Sequence, residues 1–259
     1  MILEKKMDID RIIAQVTEQV MRDMELQEQA KKYDAIPLES VSKRFEHSLL
    51  DPAISLEKIV KGCYEARQYQ LGNICVNPYF VPFAAEQLRN TGIAVCAPVG
   101  FPQAHASTAA KIAEIKECIQ NGATELDVSL NMAAIKSGRY DDARKDLDLM
   151  LAACGNRAMF KAIYEQAAYT ENEKEKVLTM IRNSGADGLK ISNFFTGKKA
   201  AEEDVIFVRS IVGNSLVIKI DGGVKTLEKA MSLFNSGATR IGLTAAVKIC
   251  DEAKAAMRK

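Results

Sequence analysis

Eight short β-rich runs, separated by stretches of helical periodicity, constrain the fold of this chain more than any other feature. The runs are FEHSLL (45–50), GNICV (72–76), AVCAPV (94–99), ELDVSL (125–130), MFKAIY (159–164), GLKIS (188–192), LVIKI (216–220) and RIGL (240–243). The segments between them, such as 55–70 and 108–122, repeat apolar residues at helical spacing. Eight alternating units predict an α/β protein with a closed (β/α)8 TIM barrel. Because no G-x-G-x-x-G follows the first run, an open Rossmann sheet is the weaker alternative.

Residues 1–40 differ in character from residues 41–259, which hold the predicted barrel. Apolar residues recur on one helical face of MDIDRIIAQVTEQVMRDM (7–24), and a polar linker follows. The plain interpretation is an amphipathic helix that packs on the barrel or on a second subunit of a homo-oligomer. The segment also resembles the encapsulation peptides that target cargo to bacterial microcompartments. That resemblance implies a shell protein as the partner of residues 7–24.

The overall composition argues against several classes of partner. Lysine and arginine total 35 against 34 for aspartate and glutamate, so no net field attracts nucleic acid or a membrane surface. No apolar run reaches the roughly 18 residues that a membrane helix needs, and the charged N-terminus does not look like a secretory signal. We therefore expect a cytoplasmic protein, with the interior of a microcompartment as the sharper alternative. The six cysteines have no C-x-x-C spacing, which predicts free thiols and no metal site.

Three of the β-rich runs place a charged residue between two aliphatic neighbours. Asp127 stands in ELDVSL, Lys190 in GLKIS and Lys219 in LVIKI. Side chains alternate between the two faces of a strand, so the aliphatic neighbours should pack against helices while the charged side chains point into the barrel lumen. All three lie toward the C-terminal ends of their strands, where barrel enzymes build their active sites.

Two lysines on neighbouring strands point to covalent chemistry. Burial and the repulsion between two ammonium groups both lower a lysine pKa, so we expect one of the two amines to be uncharged and nucleophilic. Such an amine can condense with a carbonyl to form an imine, while Asp127 moves protons. The alternative is a buried ion-pair cluster that only stabilises the barrel.

Seven motifs occur in an order that carries a family resemblance. They are EHSLLDP (46–52), NICVNPYFVP (73–82), VGFPQAHAST (99–108), GATELDVSLNMAAIKSGRY (122–140), FKAIYE (160–165), GADGLKIS (185–192) and IKIDGGVKT (218–226). Together they resemble the class I deoxyribose-phosphate aldolases, from about residue 43 to the C-terminus. The resemblance implies reversible cleavage of 2-deoxy-D-ribose 5-phosphate, a small sugar phosphate, into D-glyceraldehyde 3-phosphate and acetaldehyde. It implies no metal and no organic cofactor.

The same resemblance implies a role for each residue of the site. Lys190 would be the imine-forming nucleophile, Lys219 the lysine that tunes it, and Asp127 the proton-transfer carboxylate. The expected substrate- and phosphate-binding residues lie around them: Gly222, Gly223, Gly242, Thr244, Ser192 and Cys75. For Cys75, a packed position in the lumen is the plainer interpretation.

Two positions depart from the family pattern close to the expected site. Phe194 takes the place of a glycine and could block a phosphate, and Asp221 takes the place of a small neutral residue and would repel one. These departures keep two alternatives open. One is an aldolase of the same mechanism that acts on a different sugar, whether larger or unphosphorylated. The other is a non-catalytic barrel that serves as a scaffold.

Overall fold

The computed structural model describes residues 38–195 and 197–257, and in it eight parallel strands close into a barrel in chain order. The strands are β1 (Phe45–Leu49), β2 (Asn73–Val76), β3 (Ala94–Val99), β4 (Glu125–Ser129), β5 (Met159–Glu165), β6 (Gly188–Ser192), β7 (Val217–Asp221) and β8 (Arg240–Leu243). Pairing of β8 with β1 closes the ring. The predicted (β/α)8 TIM barrel is therefore confirmed, while the predicted helix at 7–24 lies outside the described residues.

The helices that the structure describes surround the strands as an outer layer. They are α1 (Leu56–Gln68), α2 (Val81–Gln87), α3 (Thr108–Gln120), α4 (Met132–Lys136), α5 (Tyr140–Cys154), α6 (Glu171–Arg182), α7 (Glu202–Val212), α8 (Leu227–Asn235) and α9 (Ala246–Ala256). A short 3-10 helix, Leu38–Arg44, leads into β1.

Hydroxyl side chains at the helix N-termini explain where several helices begin. Ser55, Ser107 and Thr226 each accept a hydrogen bond from a backbone N–H in the first turn of α1, α3 and α8. Thr170 and Glu173 form a reciprocal capping box at the start of α6. Each cap satisfies an otherwise unpaired N–H and contributes about 1 kcal/mol to helix stability.

The strands bury both faces, but with different chemistry on each face. Leu126 and Val128 of β4 are fully buried in the apolar layer between the strands and the helices, whereas Asp127 is fully buried on the opposite face. The same alternation places Leu189 and Ile191 in the apolar layer. The lumen consequently holds charged side chains, and their mutual pairing decides the chemistry of the barrel.

The strand register brings the lysines of β6 and β7 side by side. Lys190 is the register partner of Lys219, and Lys219 is in turn the partner of Arg240 on β8. On the neighbouring strands, Asp127 of β4 is the register partner of Lys161 of β5. Cationic and anionic residues therefore face one another across a shared lumen.

The helices and the cysteines of the described residues bear on two expectations from the sequence. Within the described parts of the chain, no helix is long and apolar enough to cross a membrane. The six cysteines are free and buried.

Candidate active site

Lys190 places its amine at the inner end of an open cavity. The side chain is buried, yet it lines a cavity of about 540 Å³ at the C-terminal end of the barrel. Its Nζ lies 2.8 Å from Oδ2 of Asp221 and 3.3 Å from Oδ2 of Asp127. The ring of Phe101 packs against the same amine, with its centroid 4.8 Å from Nζ. Lys190 is thus an enclosed lysine that a small molecule can reach from the cavity.

Lys219 lies deeper and is held by carboxylates from other strands. Its Nζ donates to Asp127 Oδ2 at 2.5 Å and to Glu46 of β1, and it lies 3.9 Å from Oδ1 of Asp221. Burial by itself would lower the pKa of Lys219, but the attraction of these carboxylates outweighs burial and holds the pKa well above its ordinary value. Lys219 is therefore a permanent positive charge beside Lys190.

The expectation that Lys219 keeps the Lys190 amine uncharged is wrong for this arrangement. Burial favours the neutral amine and Lys219 repels its charged form, so both lower the pKa of Lys190. Asp221 and Asp127 oppose them, and the balance raises the pKa of Lys190 above its ordinary value. The reason is Asp221, whose carboxylate forms a direct ion pair with the amine. Lys190 is therefore an ion-paired ammonium in this arrangement.

Asp127 joins the cations of three strands at the centre of the lumen. It is fully buried, and besides Lys219 and Lys190 it pairs with Lys161 through Oδ1 at 3.4 Å. Burial would raise the pKa of Asp127, but the three ammonium groups hold the pKa of this carboxyl far below its usual range. Asp127 therefore stays ionised and fixes the relative positions of the lysines.

A polar layer that is sealed from the cavity lies beneath these residues, and most of its members were not predicted from the sequence. Lys161 pairs with Glu125 at 2.6 Å, and Arg240 pairs with the other oxygen of Glu125. Asn73 donates one hydrogen bond to Glu46 at 2.9 Å and another to Glu125 at 3.0 Å. The signal was available, because Glu125 stands two residues before Asp127 and so shares its face of the strand.

The residues expected to bind substrate divide into two groups. Gly222, Gly223 and Ser192 line the cavity beside Lys190, whereas Gly242 and Thr244 are not among the residues that line it. Gly242 lies behind Asp221, where a Cβ would come within 1.9 Å of Oδ1 of that carboxylate. The strand therefore needs glycine there to admit the side chain of Asp221, which is a packing role.

Cys75 lies below the cavity with three other potential metal ligands. Glu46, Cys75, Cys96 and Asp127 each offer a ligand atom, and these atoms lie within 4.8 Å of one another. The Lys219 ammonium already pairs with both carboxylates of this group. Burial also raises the pKa of the Cys96 thiol well above its usual value, which opposes the thiolate that a metal prefers. These four residues therefore suit the Lys219 ammonium better than they suit a metal ion.

Sequence comparison assigns the family to which this site belongs. Residues 22–252 match the family described as "DeoC/LacD family aldolase". The chain belongs to this family. A deoxyribose-phosphate aldolase of Staphylococcus carnosus is 38% identical over 208 residues, which cover 80% of this chain and 94% of the relative. One from Caldanaerobacter subterraneus subsp. tengcongensis is 37% identical over 219 residues, covering 84% and 95%.

Solved structures agree with this membership in the DeoC/LacD family. A putative deoxyribose-phosphate aldolase from Coccidioides immitis superposes with a TM-score of 0.82 at 28% identity, covering 90% of this chain and 96% of that one. A protein described as "QR15, an Aldolase" gives a TM-score of 0.79 at 29% identity, covering 84% and 97%. The barrel and its order of strands are thus those of known aldolases.

Proposed function

We propose that this protein is a class I deoxyribose-phosphate aldolase, a lyase that reversibly cleaves 2-deoxy-D-ribose 5-phosphate to D-glyceraldehyde 3-phosphate and acetaldehyde. The observation that carries the proposal is a buried lysine amine, Lys190, that opens onto a cavity beside a second lysine and a carboxylate. Membership in the DeoC/LacD family and the names of the curated relatives support the same activity.

In this proposal Lys190 attacks the open-chain aldehyde and forms a protonated imine with loss of water. The imine at C1 draws electrons from the C2–C3 bond of the sugar, which breaks as the 3-hydroxyl loses its proton and D-glyceraldehyde 3-phosphate leaves. The remaining enamine takes up a proton, and hydrolysis releases acetaldehyde and the free amine. Lys219 supplies a fixed positive charge that disfavours the ammonium form of Lys190, and Asp127, which pairs with both lysines, serves the proton transfers of bond cleavage and enamine protonation.

Reductive trapping tests the proposed nucleophile directly. Borohydride added with acetaldehyde should attach a two-carbon group to the protein, and a peptide map should locate it on Lys190. The Lys190→Ala variant should take up no label and lose aldolase activity. An unlabelled Lys190 in the wild-type protein, or full activity in the variant, would contradict the proposal, and loss of activity in the variant rules out the scaffold alternative.

A second candidate is the same imine chemistry on an unphosphorylated sugar, favoured by two residues that line the cavity. Asp221 brings a negative charge next to Gly222 and Gly223, and the ring of Phe194 packs edge-on against Phe101 at a centroid distance of 5.2 Å. Rates with deoxyribose and deoxyribose 5-phosphate separate the candidates. If Phe194 blocks the phosphate, Phe194→Gly should lower KM for the phosphorylated sugar by about 10-fold and leave KM for deoxyribose unchanged. Strong preference of the wild-type protein for the phosphorylated sugar would eliminate this candidate.

We also propose that residues 7–24 direct the protein to a microcompartment shell. The support is the amphipathic pattern of the sequence and the chemistry of the reaction, since a shell would retain a reactive, volatile aldehyde. Deleting residues 1–37 should leave activity unchanged and abolish co-purification with shell proteins. If the truncated protein instead changes its oligomeric state in size-exclusion chromatography, the segment packs between subunits.

A further inference from the structure

Asp221 differs from Asp127 in a way that matters for proton transfer. Both carboxylates contact the Lys190 amine, at 2.8 Å and 3.3 Å respectively. The Asp127 side chain has no exposed surface and is held by Lys219 and Lys161, whereas the Asp221 side chain is 24% exposed and lines the cavity. A proton can therefore pass from Lys190 to Asp221, and from Asp221 to a molecule in the cavity, without disrupting the sealed network.

The backbone around Asp221 makes room for its carboxylate. Asp221 is the register partner of Gly242, and a Cβ on Gly242 would lie 1.9 Å from Oδ1. Oδ1 is a buried atom that accepts no hydrogen bond from the described residues, and it lies 3.9 Å from Nζ of Lys219. One oxygen of Asp221 thus binds the amine while the other has acceptor capacity to spare.

We propose that Asp221 is a second catalytic residue, which takes a proton from Lys190 and returns it during formation of the imine. The inference rests on the proposed function of the site. First, the proton moves from the Lys190 ammonium to Asp221. The freed amine then forms a C–N bond with the aldehyde carbon, and transfer of a proton from the nitrogen to the oxygen gives a carbinolamine. The protonated Asp221 then donates to the carbinolamine hydroxyl, which leaves as water. The products are a protonated imine, one water and the original carboxylate, so atoms and charge balance.

A purely electrostatic role for Asp221 predicts the opposite effect of its removal. Without the carboxylate, Lys219 would still repel the Lys190 ammonium, so the pKa of Lys190 would fall and more of the amine would be ready to attack. Imine formation at neutral pH would then become faster. In a catalytic role the same variant lacks the acid that expels water, so imine formation becomes slower even though attack is easier.

The test is a single-turnover measurement of imine formation. The protein is mixed with acetaldehyde, quenched with borohydride at increasing times, and the labelled fraction is read from intact mass. Asp221→Asn should form the imine about 10²-fold more slowly at neutral pH, within the range of a lost general acid. In Asp221→Ala, added formate should restore much of the rate, because a small acid can enter the space left beside the cavity.

Two control variants distinguish the loss of a proton carrier at residue 221 from structural damage, and the wild-type protein tests the proposed function separately. Glu228→Gln, an exposed change in the first turn of α8, should form the imine at the wild-type rate with no response to formate. Asp127→Ala should be slow and stay slow with formate, because its site is sealed. Imine formation in Asp221→Asn as fast as in the wild type, or no formate response in Asp221→Ala, overturns the inference. Absence of label in the wild-type protein would instead overturn the proposed function.

Discussion

Lys161 and Lys190 lie on adjacent strands, are both buried, and both pair with Asp127, yet their surroundings differ. The other partner of Lys161 is Glu125, which Arg240 and Asn73 also bind within the sealed layer. The other partner of Lys190 is Asp221 at the rim of the cavity. A buried lysine is therefore not in itself a sign of catalysis. What distinguishes Lys190, the proposed nucleophile, is a partner that lines the cavity.

The lumen can hold these charges because they lie in ion pairs. The four carboxylates and four cations that pair in this way are Glu46, Glu125, Asp127 and Asp221 with Lys161, Lys190, Lys219 and Arg240. A buried charge without a partner costs several kcal/mol, so removal of one member should be felt by its neighbours. The cost should be greater in the sealed layer than at the rim, where water can replace the missing partner.

The largest difference between Lys161 and Lys190 should appear in activity when each is replaced by methionine, a side chain of similar length. Lys190→Met removes the nucleophile and should lower kcat on the order of 10⁶-fold, as expected for loss of a covalent nucleophile. Lys161→Met keeps the nucleophile and should retain a borohydride-trappable imine, with kcat lowered by about 10-fold at most. Steady-state rates and intact mass after trapping measure both. Equal loss of the trapped imine in the two variants would show that the sealed layer takes part in the chemistry.

The order of the two effects should reverse for stability, with the greater loss in Lys161→Met. Lys161→Met leaves the buried Glu125 short of a partner and should lower the free energy of unfolding by about 3–5 kcal/mol. Lys190→Met should cost roughly 1–3 kcal/mol, because Asp221 can be hydrated from the cavity. Urea unfolding at pH 7 checks the order. A greater loss in Lys190→Met would mean that the rim contributes more to stability than the sealed layer does.

The smallest expected effect concerns the pH dependence of stability. Burial would raise the pKa of Glu125, but Lys161 and Arg240 outweigh it, so its pKa in the folded state is lowered. The ionised form therefore contributes stability above the unfolded pKa of about 4.3, and this contribution is lost as pH falls through the lower, folded value. Glu125→Gln should be less stable at pH 7 and lose stability less steeply below about pH 4. Urea midpoints from pH 6 to 3 test this, and parallel curves for both proteins would refute it.

The fold was predictable because barrel strands and helices carry their patterns locally. The run FEHSLL (45–50) corresponds to β1 (Phe45–Leu49), and the periodic segment 55–70 to α1 (Leu56–Gln68) with Ser55 as its cap. The burial of Lys111 could not be predicted from such a local pattern. It lies on α3, where a lysine normally faces solvent, yet it is buried and pairs with Asp146 of α5 at 2.6 Å. A partner 35 residues away in sequence leaves no local pattern to read.

The sequence by itself determined that Asp127, Lys190 and Lys219 face the lumen, because side chains alternate along a strand and the aliphatic neighbours belong in the outer layer. The tertiary structure alone decided the charge on the Lys190 amine. The pKa of Lys190 depends on Asp221, Lys219 and Asp127, which come from two other strands, and electrostatic attraction depends on distances in space that spacing along the chain does not record.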